Sequence, residues 1–180
     1  MSEAYAMEIL HRHFGATQVT TEMNIVYYGR GWKKCDFLTC LPVKIEPERV
    51  GVSVTRALLN PKIHPDDIDA GLSRLLDKKL HGLVISRAGT DEQQSFYYSL
   101  LFVWSPDRVS SRLFESLFHQ ADPSLTEGVI LVIVEANETS LRRDFVDNKK
   151  VETNIVCVTT TRETHTKPDV LDDDELLCTP

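Results

Sequence analysis

The sequence lacks a long hydrophobic run and a CxxC pair. Its longest apolar stretch is Val129–Val134, far shorter than the roughly 20 residues of a membrane-spanning helix. The first residues contain no basic region followed by an apolar one, so no secretory signal is expected. The four cysteines have no zinc-ligand spacing. We therefore expect reduced thiols, no membrane association and a cytoplasmic or nuclear location.

Basic residues are also outnumbered. The chain has 20 Lys and Arg residues against 27 Asp and Glu residues, which gives a formal net charge of −7. Nonspecific affinity for nucleic acid rests on clustered Lys and Arg. The net charge therefore does not indicate a nucleic-acid partner, although it is compatible with a local basic rim around a site.

Residues 159–180 form the most polar part of the chain. They have no hydrophobic periodicity and carry five acidic residues in the last fourteen positions, a pattern that predicts a disordered acidic tail. Asp172–Leu177 matches an acidic dileucine pattern, but such short matches arise often by chance, and we favour a flexible tail. A protein partner that contacts Leu176 and Leu177 is the remaining alternative.

The sequence does contain enough apolar residues to form the core of one domain over residues 1–158. Hydrophobic residues make up 42% of the chain and charged residues 26%, as in ordinary globular proteins. The patterns predict an α/β fold in which a mixed central sheet is flanked by helices. The predicted helices cover residues 2–14, 66–81 (ended by Gly82) and 107–120, with a short helix or loop over 138–147. The predicted strands cover 18–29, 33–41 (after a hairpin at 29–31), 50–56, 83–86, 95–104 (with a helix as the alternative), 129–134 and 155–158.

A single acidic residue, Asp36, lies in the middle of the apolar run that forms the second predicted strand. Burying an unpaired carboxylate is costly. Asp36 is therefore expected either to serve a site or to bond to Arg30, to Lys33 or to a backbone amide.

The third predicted strand carries two hydroxyl groups on one face. Side chains alternate along a strand, so Ser53 and Thr55 point one way and the neighbouring valines the other. Arg56 follows directly and suits a phosphate or carboxylate clamp; a salt bridge to Asp66 or Asp67 is the alternative. Ser53 and Thr55 line a polar pocket beside Asp36 or simply tolerate a crowded strand.

Aromatic and basic residues alternate just before the second predicted strand. Tyr27, Tyr28 and Trp32 flank Arg30, Lys33 and Lys34. Such residues together can stack on a nucleic-acid strand and neutralise it, although core packing and a solvated turn are the commoner explanation.

The order helix, three strands, helix, strand over residues 1–88 resembles the αβββαβ core of the PD-(D/E)XK, or restriction-endonuclease-like, nuclease superfamily, with the rest of the chain as a C-terminal extension. The segments GVSVTRAL and KKLHGLVISRAG also resemble segments of eukaryotic proteins with the same apparent core. In the superfamily the third strand reads hydrophobic, Glu, hydrophobic, Lys. The resemblance implies that Asp36, Ser53, Thr55 and Arg56 occupy the catalytic positions and that Glu3 and Asp36 are the metal ligands.

Two of the three expected catalytic groups are missing from this pattern. Ser53 and Thr55 stand where the superfamily has a carboxylate and a lysine, and neutral hydroxyls are weaker Mg²⁺ ligands than carboxylates. Metal-dependent phosphodiester cleavage needs carboxylates to hold the ion and a cation to stabilise charge. Candidates for migrated groups are the cations Arg56, Arg74 and Lys78 and the carboxylate Glu48.

We therefore expect a noncatalytic interaction or structural module with no certain cofactor and a protein partner. An atypical Mg²⁺-dependent nuclease acting on DNA or RNA is the first alternative. An unrelated protein that binds a small molecule in a pocket at the strand ends is the second. The predicted site requires Asp36, Ser53 and Thr55 to share one surface next to the first helix.

Overall fold

A computed structural model describes residues 2–29, 31–42, 48–57 and 68–135, and the backbone alone of residues 154–159. The helices are α1 (Ser2–Phe14), α2 (Ile68–Gly89), α3 (Arg108–Gln120) and the short α4 (Pro123–Thr126). The strands are β1 (Thr17–Thr21), β2 (Phe37–Leu41), β3 (Glu48–Arg56), β4 (Tyr98–Ser105), β5 (Val129–Glu135) and β6 (Asn154–Thr159). None of the described helices is both long and apolar enough to cross a membrane.

The strands form one mixed sheet in the order β1–β2–β3–β4–β5–β6. The three central strands, β3, β4 and β5, are parallel, whereas β1, β2 and β6 add antiparallel strands at the two sides. Every residue of β4 from Ser99 to Ser105 is buried, because helices cover both faces of the parallel strands. The predicted α/β class, with a mixed sheet flanked by helices, is confirmed.

The helices divide between the two faces of the sheet. α1 packs on the face that carries Val52 and Val54. α2 and α3 pack on the opposite face, which carries Leu101 and Val103. Because Ser53 lies beside Leu101 in the register of β3 and β4, its side chain is on the α2 face.

The edge of the sheet formed by β1 is irregular. The pairing of β1 with β2 shifts between Thr17 and Thr20, and Gln18 between them has a φ of 54°. This is the left-handed region that side chains other than glycine rarely adopt. β1 therefore ends the sheet with a bulged strand.

The strand predicted over residues 18–29 is wrong beyond Thr21. Glu22–Asn24 forms a short 3₁₀ turn, and the following residues bond to the end of α2 instead of the sheet. Tyr28 N donates to Gly89 O at 2.9 Å, and Asp91 N donates to Val26 O at 3.0 Å. As a result, the predicted hairpin at residues 29–31 does not connect two adjacent strands, and β2 begins only at Phe37.

The predicted end of the second helix at Gly82 is also wrong, as is the strand over residues 83–86. α2 continues to Gly89 because its buried side continues through Leu80 and Leu83. A short apolar run cannot be assigned to helix or strand by its pattern alone. The strand that completes the αβββαβ order is β4, so this order occupies residues 2–105 and not 1–88.

The other predictions in the described part of the chain are confirmed to within a few residues. They concern α1, β3, β4, α3, β5 and β6. The predicted helix start at residue 66, the segment 138–147 and the tail beyond residue 159 lie outside the described residues.

Candidate functional site around Asp36

The site begins where β3 extends beyond the first residue of β2. Phe37 opens β2 opposite Val52, and Asp36 N donates to Val52 O at 2.8 Å. Backbone groups in an antiparallel pair face the neighbouring strand at every second residue. Val54 is therefore the next residue whose N–H and C=O face this side, and β2 no longer provides partners for them. Buried backbone groups without partners are costly.

Two side chains provide the hydrogen-bond partners of the Val54 N–H and C=O groups. The carboxylate Oδ2 of Asp36 accepts a hydrogen bond from Val54 N. From α2, Lys79 Nζ donates to Val54 O at 2.9 Å. A carboxylate and an ammonium group thus replace the missing strand at this edge.

Ser53 links these two charged groups. Its Oγ donates to Asp36 Oδ2 at 3.3 Å and accepts from Lys79 Nζ at 3.1 Å. Ser53 is buried, and Asp36 and Lys79 are half-buried. We call these three residues the Asp36–Ser53–Lys79 cluster.

Other charged residues lie near the charged groups of the cluster. Burial lowers the pKa of Lys79 below its ordinary value, and the negative charge of Asp36 opposes that shift. Lys33 and Lys78 lower the pKa further, whereas Glu3 raises it. Two more lysines and one more carboxylate are therefore close enough for their charges to act on Lys79.

The structure brings Asp36 and Ser53 together, as the sequence analysis required, but not next to α1. α1 packs on the other face of the sheet. Thr55 lies on the same face as Ser53 and is buried; among the residues that the structure describes, no hydrogen bond joins it to the cluster. Arg56 is exposed at the end of β3 and lies opposite Trp104.

Glu3 approaches the same end of the sheet from the opposite layer. Trp104 Nε1 donates to Ser2 O at 3.3 Å, which fixes the start of α1 near the last residues of β4. Glu3 itself is exposed. In the described ranges neither an ion pair nor a hydrogen bond joins it to Asp36.

The proposed migrated carboxylate lies far from the cluster. Glu48 opens β3 opposite Leu41, five residues before Ser53, or roughly 16 Å at about 3.3 Å per residue. Within the described residues, no three His, Cys, Asp or Glu side chains are grouped so that they could hold a metal ion. The pair Glu3 and Asp36 remains a predicted metal site.

The cation that reaches β3 is Lys79, which the sequence analysis did not select. Arg74 and Lys78 are exposed on α2. The buried face of the helix is marked by Leu76, Leu80 and Leu83. At about 100° per residue, Lys79 lies roughly 60° from Leu76, whereas Lys78 lies on the far side. A helical projection of residues 72–83 would have identified Lys79.

A second buried polar group fixes the segment before β2 on α2. Tyr27 Oη accepts from Cys35 N at 3.1 Å and lies 3.1 Å from Ser86 Oγ. Burial raises the pKa of Tyr27 to about 12 and raises the pKa of the Cys35 thiol. A raised pKa disfavours the reactive thiolate, and the Tyr27 and Ser86 hydroxyls both accept from Cys35 N, which joins the segment before β2 to α2. Cys35 and Cys40 are both buried and free of a disulfide.

The aromatic residues near the cluster divide between interior and surface. Tyr27 contacts α2 as described, whereas Tyr28 is 61% exposed and Trp32 42% exposed. The Trp32 ring lies against the backbone of Gly89. Lys33 and Lys34 are exposed beside it, so aromatic and basic side chains do share a surface.

Comparison with known proteins does not assign the chain to a protein class, so the class is described from the fold. No protein-family model matches the chain, and no curated protein sequence matches it. The fold and the cluster describe an α/β protein with a mixed sheet, in which buried Ser53 on the third strand bonds to half-buried Asp36 and Lys79 at the open edge of that strand.

Proposed function

We propose that this chain is a noncatalytic interaction or structural module built on a degenerate PD-(D/E)XK-like core. The main support is that Asp36, at the predicted catalytic position, and Lys79 provide hydrogen-bond partners for the backbone of β3. Asp36 accepts from Val54 N, and Lys79 donates to Val54 O. An active site would aim the same groups at a metal ion and a phosphate.

The charge at the cluster supports the same proposal. Mg²⁺ is held by oxygen ligands, of which carboxylates are the strongest. Here the third-strand position is the neutral Ser53, and its Oγ already bonds to both Asp36 and Lys79. A metal ion bound to Asp36 would lie close to the positive ammonium group of Lys79, because only the Ser53 hydroxyl separates the two side chains.

A second candidate, an atypical Mg²⁺-dependent nuclease, is favoured by one specific observation. Lys79 brings an ammonium group from α2 to Ser53, and so provides a cation that the third strand lacks. Glu3 lies close enough to raise the pKa of Lys79. Exposed Lys33, whose charge also acts on Lys79, would form part of the rim along which a phosphate backbone approaches.

A cleavage assay separates the two candidates. Single-stranded and double-stranded DNA and RNA are incubated with Mg²⁺ or Mn²⁺ and with the wild type, Asp36→Ala, Lys79→Met or Lys78→Met. The module predicts no cleavage by the wild type above that of Asp36→Ala. Lys78→Met is the matched control because it removes a neighbouring exposed lysine that makes no bond to Ser53.

The nuclease candidate requires a different set of results. Cleavage would depend on the metal, would be lost in Asp36→Ala and Lys79→Met, and would persist in Lys78→Met. That pattern would overturn the proposal of a noncatalytic module. Cleavage that survives in Asp36→Ala would remove Asp36 from any mechanism.

A further inference from the structure

A groove lies where α2 passes the end of α3 and the short α4. Its volume is about 270 Å³. The lining includes Leu76 and Leu80, which are buried, and Leu117 and Leu125, which are half-buried. The groove therefore presents the sides of aliphatic residues to its interior, and it contains none of the residues of the Asp36–Ser53–Lys79 cluster.

Two carboxylates complete the lining at the surface. The Asp77 side chain is 65% exposed, and Asp122 is exposed at the start of α4. Asp122 Oδ1 accepts from Ser124 N at 2.8 Å, and this bond lowers the pKa of Asp122. Over residues 68–135, neither carboxylate forms a salt bridge with a lysine or an arginine; Asp77 contacts His81 at 3.3 Å.

We infer that this groove binds a segment of a partner protein in which one or two aliphatic side chains are flanked by lysine or arginine. The aliphatic side chains would fill the space between Leu117 and Leu125, and the basic residues would contact Asp77 and Asp122. Apolar burial would supply affinity, and the opposite charges would supply specificity and a faster association rate.

The size and the charge of the groove select this occupant. Pockets for drug-sized ligands have volumes of roughly 300–1,000 Å³, so a groove of about 270 Å³ suits individual side chains better than a large cofactor. The carboxylates repel an acidic segment, and the chain's own last fourteen residues carry five acidic residues. The acidic tail is therefore a poor occupant, and we take the occupant to be a basic, aliphatic segment of another protein.

Fluorescence anisotropy with model peptides tests this inference at physiological salt. The probe is a short fluorescein-labelled peptide of repeated Leu-Lys-Lys-Leu, compared with Leu-Glu-Glu-Leu and Ser-Lys-Lys-Ser peptides of equal length. The full-length chain is expected to bind the first peptide at least about tenfold more tightly than either control. Amide resonances around Leu117 and Leu125 are expected to shift on binding.

Two charge variants locate the binding. Asp77→Lys places a like charge at the groove and is expected to raise the Kd at least about tenfold. Glu22→Lys makes the same charge change at an exposed position in the 3₁₀ turn after β1, outside the groove lining, and is expected to change the Kd by less than about twofold. Asp77→Asn, which removes the charge without reversing it, is expected to give an intermediate Kd.

Four results would overturn the inference. They are no binding of the Leu-Lys-Lys-Leu peptide, equal weakening by Asp77→Lys and Glu22→Lys, resonance shifts confined to other surfaces, and a dimer of the free chain that Asp77→Lys dissociates. The last result would identify a second copy as the occupant. The cleavage assay does not involve this groove, so its outcome and that of the peptide assay are independent.

Discussion

At the scale of single residues, Asp36 stands at a predicted site position, and its carboxylate makes hydrogen bonds that support the fold. Its carboxylate bonds to the amide of Val54 and to the hydroxyl of Ser53. A backbone amide was among the predicted partners of Asp36, and in the structure it is the amide of Val54. The partner is Val54 because β2 begins at Phe37, opposite Val52, and does not extend alongside Val54.

Replacing Asp36 is expected to destabilise the fold. In Asp36→Ala, Val54 N loses its acceptor, and an unsatisfied buried donor costs about 1–3 kcal/mol. Asp36→Asn is expected to lose less, because its amide oxygen can still accept from Val54 N. Urea denaturation measures both free energies of unfolding, with Glu22→Ala as an exposed control. Equal values for Asp36→Ala and Glu22→Ala would contradict the role assigned to Asp36.

The Tyr27 hydroxyl is expected to make stability depend on alkaline pH. Its pKa is raised from 10.0 to about 12 in the folded chain, so the folded state retains this proton more strongly than the unfolded state. The resulting stabilisation is fully present below pH 10 and is lost as the pH rises toward 12. Tyr27→Phe is expected to lose about 1 kcal/mol at neutral pH through its missing hydrogen bonds. The difference from the wild type should then shrink between pH 10 and 12.

The measurement is the free energy of unfolding of both proteins across that pH range. The subtraction isolates Tyr27 from Lys79, whose lowered pKa acts in the opposite direction in both proteins. A difference that stays constant from neutral pH to pH 12 would show that the hydroxyl keeps its ordinary pKa.

At the scale of elements, α2 connects most of the features described above. It supplies Lys79 to β3, Ser86 to Tyr27 and the backbone of Gly89 to Trp32. Glycine costs about 1 kcal/mol in a helix interior. The helix nevertheless continues past Gly82, because the buried face persists on both sides of it.

Two glycine substitutions are expected to have opposite effects on stability. A Cβ at Gly71 in α2 meets nothing within 4 Å, so Gly71→Ala is expected to stabilise the protein by about 0.5–1 kcal/mol. A Cβ at Gly51 in β3 would overlap the buried ring of Phe96, and overpacking of this kind costs about 1–3 kcal/mol. Thermal and urea unfolding of the two variants give the signs. A stabilising Gly51→Ala would show that Phe96 moves freely.

The elements also show what the sequence could and could not predict. Local periodicity identified α1, α3 and the central strands, because each has a regular apolar pattern of its own. The segment between β1 and β2 could not be predicted, because Tyr27 bonds to Ser86, which is 59 residues away. The site was predicted in part. Asp36 was selected as the one acidic residue in an apolar run and Ser53 from strand alternation, whereas a helical projection places Lys79 near the buried face of α2 but does not show that it reaches Val54 and Ser53.

At the scale of the whole molecule, the sheet is protected most at its centre. β4 lies between two parallel neighbours and is buried from Ser99 to Ser105. β1 is an edge strand with mostly exposed residues. Both faces of the parallel strands are covered by helices, so opening β4 requires separating both layers.

Amide hydrogen exchange is expected to follow this arrangement. The amides of β4 should exchange most slowly, at rates that report global unfolding, and those of β1 fastest among the described strands. Mass spectrometry of peptides from the two strands, or resolved amide resonances, provides the comparison. Slower exchange in β1 than in β4 would contradict the strand order described here.

The bulge in β1 also limits self-association of the sheet. A regular edge strand offers its free N–H and C=O groups at a constant spacing, and another chain can pair with it. The left-handed turn of the backbone at Gln18 breaks that spacing, and a strand laid alongside would lose register after two or three residues. The distorted border therefore discourages the edge-to-edge stacking by which exposed β-structure grows into fibrils.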